Sequence, residues 1–259
     1  MLDGYDLGVI GVGEIGAAIV TGLCEGTGDA PRILLSPRSA GRAAALAARY
    51  PSVTVAPDNQ AVADRCAVVV LAVRPADAAA VLGGLNFRAE QAVVSLLAGV
   101  PHAELGPLVA PATDIARAIP LPPVSRRAGV TPVHPGTAAA LALFGRLGGA
   151  VEVDDPGAFD AMSVATGTVA AYLRYVATVS GWLSDQGVPA GQAERYVRSV
   201  FAGLADDLID GTRNLERLAG EHATPGGINE RFRVMLEQDG VFRVVRQSLQ
   251  DIYEGLTAG

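Results

Sequence analysis

DLGVIGVGEIGAAIVTGLCEG, residues 6–26, decides the fold. A short apolar run over 6–10 leads into a glycine-rich turn. A segment with helical spacing follows and stops at Gly26. Gly11, Gly13 and Gly16 fit the pattern G-x-G-x-x-G, placed after a strand and opening a helix, which is the context a dinucleotide site requires. Gly11 permits the tight turn, Gly13 lets backbone approach a pyrophosphate, and Gly16 lets the helix close on the sheet. The helix start at Glu14 and Ile15 supplies N–H groups and a partial positive charge. Glu14 sets a carboxylate close to the phosphates, so its side chain is expected to point away. A glycine-rich turn without ligand is the structural alternative.

The next strand selects the nucleotide. An NAD site places Asp or Glu about 20 residues beyond the glycines, to bind the ribose 2′-OH. Here the stretch is LLSPRSAGR, residues 34–42, with Ser36, Arg38, Ser39 and Arg42 and no acid. Hydroxyls and a forked guanidinium suit a 2′-phosphate, which favours NADP(H) over NAD(H). Otherwise these arginines decorate a surface helix.

Working outward, RILLS (32–36), VTVA (53–56), AVVVLAV (67–73) and AVVSLLAG (92–99) read as strands. SAGRAAALAARY (39–50) reads as a helix with Ser39 as a possible N-cap. NQAVADRC and PADAAAVLGGL read as helices, and ELGPLVA, DIARAIP and GVTPVHPG suggest one or two further strands with short helices. Strands alternating with helices predict an α/β fold, a doubly wound parallel sheet of the Rossmann type. After Val153 the pattern turns helical. Residues 158–187 could form one long helix ending at Gly187. Apolar stripes recur at 193, 197, 200, 204 and 208, and at 242, 245, 249, 252 and 256. The expected organisation is a dinucleotide-binding domain over 1–153 and an all-helical domain over 154–259, joined at 154–157.

Half of the 259 residues are hydrophobic and net charge is −7. With no basic tract, a nucleic-acid partner is not expected. The acidity is uneven: 11 Arg against 12 acids up to Val153, then 9 Arg against 15. No leader and no membrane span is read, so a cytoplasmic protein is expected. Cys24 and Cys66 make no disulfide framework, and with three scattered His they give no metal-ligand spacing.

All 20 basic residues are Arg. Without Lys there is no Schiff base and no P-loop, and no Lys acid or base. Only His102, His134 and His222 could pass a proton. His102 follows a strand end and His134 lies in a Pro-rich loop, where surface roles are expected; His222 adjoins the helix-breaking ATPGGINE, residues 223–230. An imine can enter already protonated, so its reduction asks the protein mainly to bind, orient and exclude water.

With these residues in view, the chain resembles the pyrroline-5-carboxylate reductase family along nearly its whole length. GVIGVGEIGAAIVTGL is similar to the family's opening. VVVLAVRP (68–75) looks like its strand and turn beside the nicotinamide, which implies that Ala72, Val73, Arg74 and Pro75 hold cofactor; the family usually has Lys where this chain has Arg74. SLLAGV (95–100) looks like its Ser-x-x-Ala-Gly segment, implicating Ala98 and Gly99. GTVAAY (167–172) sits where the family has Gly-Ser-Gly-Pro-Ala-Tyr, implicating Thr168. TPGGIN (224–229) sits where it has Ser-Pro-Gly-Gly-Thr-Thr. The resemblance implies that this loop holds the substrate carboxylate and ring nitrogen. Pro225, Gly226, Gly227 and Ile228 would bind substrate, and Thr224, Asn229 and His222 would serve the chemistry. A helical dimerisation domain is implied, hence a homodimer or higher homo-oligomer, with the loop near its own or the partner's nicotinamide. The departures are Leu121 in place of Asn, Ile228 and Asn229 in place of two Thr, and Val169-Ala170 in place of Gly-Pro. They predict an intact cofactor half and an altered substrate half. The expected activity is NADP(H)-dependent hydride transfer to a cyclic imine, pyrroline-5-carboxylate or a relative. The alternatives are another NADP(H)-linked reductase of deazaflavin or hydroxy-acid type, and a nucleotide-binding protein without turnover.

Overall fold

The computed structural model describes residues 5–257. These fall into two compact units that divide between Ser163 and Val164.

The first unit is built on eight strands: β1 (Tyr5–Ile10), β2 (Ile33–Leu35), β3 (Val53–Val55), β4 (Cys66–Leu71), β5 (Ala92–Ser95), β6 (Asp114–Ala118), β7 (Thr131–His134) and β8 (Ala150–Glu152). They form one sheet in the order β3-β2-β1-β4-β5-β6-β7-β8. Helices α1 (Glu14–Cys24), α2 (Ala40–Arg49), α3 (Asn59–Arg65), α4 (Ala78–Leu82), α5 (His102–Val109) and α6 (Ala138–Gly145) connect them. Side chains alternate between faces along a strand, and both faces are apolar. Val9, Val70 and Val94 join one core cluster with Ile19, Leu23 and Phe144. Ile10, Leu71 and Val93 join a second with Val62, Leu82 and Leu105. Runs such as AVVS in β5 are therefore buried at every position, as a helix-covered parallel sheet requires.

The sheet is parallel except between β6 and β7, where Arg117 pairs with His134. Only a short 3-10 turn, Pro122–Arg126, lies on that connection. No full crossover helix is available to carry the chain back, so β7 returns antiparallel. The eighth strand exceeds the expected count. The strand foreseen over 92–99 ends at Ser95, and Gly99 takes φ +74° on the loop beyond.

Helix α7 (Pro156–Thr166) carries the division between the units; α8 (Thr168–Asp185), α9 (Ala190–Ala202), α10 (Ala205–Ile209), α11 (Leu215–Glu221), α12 (Ile228–Gln238) and α13 (Val241–Thr257) follow. Two expectations are corrected here. The single helix over 158–187 is interrupted at Gly167, whose N–H reaches Val164 O three residues back at 2.9 Å. The stripe at 193, 197, 200, 204 and 208 is likewise split, between Ala202 and Ala205. Gly187 does close α8, at φ +92°, a left-handed position that glycine takes without strain.

Candidate functional site

Strand order reverses between β1 and β4, because β2 and β3 extend the sheet one way and β5 onward the other. Ligands of such sheets bind in the crevice beyond the strand ends at that switch point. The turn after β1 lies there. Gly11 has φ +99°, and a Cβ on it would meet the Ala72 carbonyl at 2.6 Å. A Cβ on Gly16 would meet Gly11 O at 2.5 Å. Gly13 differs, since a Cβ there would meet nothing within 4 Å. The first two glycines are demanded by packing, and the third leaves backbone exposed to a ligand.

A cleft opens above this turn, lined by Gly11, Gly13, Ser36, Arg38, Ser39, Ala72, Val73 and Arg74, together with Ile10, Asn59, Asp77 and Val81. Eight residues singled out in the sequence are thus brought together. Glu14, Ile15, Gly16, Pro75, Ala98 and Gly99 are not among the lining residues. Ile15 packs on the core, and Ala98 and Gly99 are exposed beyond β5. Glu14 turns toward α2, its Oε2 accepting from Arg42 Nη2 at 3.2 Å. Ser36 is 1% exposed, and its Oγ accepts the Gly11 N–H at 2.9 Å, so the hydroxyl braces the turn. Ser39 occupies the N-cap position of α2 without a side-chain capping bond. Asn59 and Asp77 were not singled out from sequence. The three-residue spacing from Arg74 to Asp77, usual for an ion pair, was the available signal.

Arg38 and Arg74 both reach Asp77 Oδ2, at 3.6 Å and 2.9 Å. The residues present fit a phosphorylated dinucleotide: open backbone at Gly13, a hydroxyl and two guanidinium groups at the cleft, and no acid at the end of β2.

In the second unit, His222, Thr224, Gly227, Ile228 and Asn229 line one small pocket. Gly226 has φ +73° and Gly227 is the N-cap of α12. Asn229 Nδ2 donates to His222 O at 2.9 Å, closing the loop, and Gly227 N–H donates to Thr224 O at 2.8 Å. The Gly226 N–H donates to Glu230 Oε2 at 2.6 Å, so this amide already has an internal carboxylate partner. His222 Nε2 lies 3.4 Å from Asp207 Oδ2. The Arg213 guanidinium beside Asp207 holds its carboxyl below the usual range. Pro225 and Gly226 flank the pocket in sequence, whereas Thr168 begins α8 and donates its hydroxyl to Ala165 O at 2.8 Å.

The other histidines are held by backbone. His134 lies at the end of β7 rather than in a loop, with Nδ1 2.7 Å from Val153 O. His102, in α5, has Nε2 3.0 Å from Ile115 O. Burial pushes the Cys66 thiol up to about 12 and raises Cys24 as well, so neither supplies a thiolate. Among the described residues no group of three His, Cys, Asp or Glu could hold a metal ion. No helix among them is long and apolar enough to cross a membrane.

A doubly wound sheet with a glycine turn at its switch point, followed by a helical unit, defines a dinucleotide-binding protein of the α/β class. Residues 6–99 match the family model described as NADP oxidoreductase coenzyme F420-dependent, and residues 156–257 match that for pyrroline-5-carboxylate reductase dimerisation. The pyrroline-5-carboxylate reductase of Mycobacterium tuberculosis is 31% identical over 247 residues, covering 89% of this chain and 80% of the relative. A pyrroline-5-carboxylate reductase structure from Coxiella burnetii superposes with TM-score 0.84 at 23% identity, covering 98% of each chain. The structure of Plasmodium falciparum pyrroline carboxylate reductase with NADP bound gives TM-score 0.79 at 17% identity, covering 100% of this chain and 99% of the other. The chain belongs to the pyrroline-5-carboxylate reductase family.

Proposed function

We propose that this chain reduces a cyclic imine, pyrroline-5-carboxylate or a close relative, with NADP(H), as a homodimer in the cytoplasm, serving proline formation. The cleft arginines carry the cofactor assignment. Arg38, after β2, stands where an NAD site would need an acid on the ribose, and Arg74 brings a second guanidinium to the same Asp77 oxygen. Gly13 and the start of α1 bind the pyrophosphate, and the backbone of the turn from Ala72 to Pro75 with Ala98 and Gly99 flanks the nicotinamide, while the Arg74 side chain turns to Asp77 beside Arg38. The nucleotide supplies hydride when bound. In the second unit the loop from Thr224 to Asn229 receives the imine. Gly226 and Gly227 offer main-chain N–H groups to its carboxylate, which displaces Glu230 from the Gly226 amide. Asn229, with donor and acceptor in one side chain, orients the ring nitrogen. Thr224 and His222 complete the polar rim, and Ile228 adds one apolar side to it. The functional domains run 1–153 and 154–259.

The test follows NADPH oxidation with pyrroline-5-carboxylate and with cyclic imines lacking the carboxylate. Turnover of the carboxylated imine, abolished by neither His102→Gln nor His134→Gln, is expected. NADPH binding with no oxidation by any imine would overturn the reading.

A further inference from the structure

Asp77 is the only acid among the described residues lining the first-unit cleft. Its side chain is 25% exposed, whereas Arg38 and Arg74 are 63% and 78% exposed. One oxygen, Oδ2, takes both arginines: Arg38 Nη1 at 3.6 Å, and Arg74 Nε and Nη2 at 3.0 and 2.9 Å. They arrive from separate parts of the sheet. Arg38 follows β2 and Arg74 follows β4, with β1 lying between those strands.

We infer that Asp77 is an internal counter-anion, competing with the nucleotide's 2′-phosphate for Arg38 and Arg74 and thereby setting nucleotide affinity and selectivity. The inference rests on the reading of this cleft as an NADP(H) site. Two physical effects oppose each other. Asp77 could assist by holding both guanidinium groups in place, or hinder by repelling a dianion. Exposed ion pairs contribute only about 0–1 kcal/mol, so the assistance is small. The repulsion between the fixed charge of Asp77, only 25% exposed, and a dianion acts over several ångströms and needs no ordering of long side chains, so it outweighs that assistance. Neutralising Asp77 leaves two cations facing the phosphate in place of a net charge of one.

The test is calorimetric binding of NADP+, NAD+ and adenosine 2′,5′-bisphosphate to the full chain, at two salt concentrations. Asp77→Asn, with Asp77→Ser as a second neutral variant, should bind the two 2′-phosphorylated ligands roughly three- to tenfold tighter and NAD+ nearly unchanged. The salt dependence should steepen for the phosphorylated ligands alone. Asp77→Glu keeps the charge and should behave as the wild type. NADP+ binding that is unchanged or weaker in both neutral variants would overturn the role of Asp77 while leaving the cofactor reading standing. A wild type that fails to prefer NADP+ over NAD+ would overturn the cofactor reading and the inference with it.

Discussion

The three glycines of the turn carry different duties, and their substitutions should separate them. Gly11 combines φ +99° with a Cβ position 2.6 Å from the Ala72 carbonyl, so Gly11→Ala adds backbone strain and a collision with a fixed strand end. Such strain costs on the order of 1–3 kcal/mol, and urea midpoints should show that loss. Gly13 has φ −77°, which any residue adopts, and open space beside it. Gly13→Val should therefore keep stability within about 0.5 kcal/mol, yet weaken NADPH binding at least about tenfold, because the new side chain stands where a pyrophosphate must approach the backbone. Equal destabilisation by the two substitutions, or NADPH binding by Gly13→Val at wild-type strength, would contradict this division. The residue scale is also where sequence was least sufficient. Ser36 reads as a phosphate ligand but accepts the Gly11 N–H, and Glu14 turns to Arg42. Those outcomes depend on atoms 25 and 28 residues away, which no local pattern contains.

At the scale of elements, α5 is held against β6 by His102, whose ring nitrogen meets Ile115 O. Burial lowers the His102 pKa, opposed by the Ile115 carbonyl and reinforced by His134 and Arg117. The folded state therefore favours the neutral ring, and the unfolded chain takes up the proton first. Stability from this group is complete above the ordinary value of 6.5 and is lost as pH falls through 6.5 toward the lower folded value. His102→Gln keeps a polar contact to Ile115 without a titration. Its urea midpoint should fall less than that of the wild type between pH 8 and pH 5.5, and parallel curves would refute the assignment. Elements were legible where burial is repetitive: Val93 and Val94 are apolar because core lies on both faces of β5. Breaks were not. Gly167 interrupts a continuous helical pattern through one i→i+3 bond, and β7 runs antiparallel because of the connection before it.

At the scale of the whole molecule, the second unit lacks the interior that its length requires. Its buried hydrophobic residues, among those described, are Val164, Ala193, Val197 and Leu218. No residue of α8, α12 or α13 is buried. The stripe read in the sequence at 242, 245, 249, 252 and 256 forms one face of α13, with Phe242, Val245 and Ile252 52%, 47% and 56% exposed. The periodicity announced a face to be covered, but one chain's sequence could not say by what. A second copy covering that face would contribute about 1.5–3 kcal/mol for each large apolar side chain removed from water. Thermal stability should then rise with protein concentration, because only the associated state protects the helices. Sedimentation should give a dimer at micromolar concentration. Ile252→Glu sets a charge in the middle of the stripe and should yield monomer with a lower and concentration-independent midpoint, whereas Glu254→Gln, outside the stripe, should remain dimeric. A wild-type monomer with cooperative, concentration-independent unfolding would show that the α13 face needs no partner.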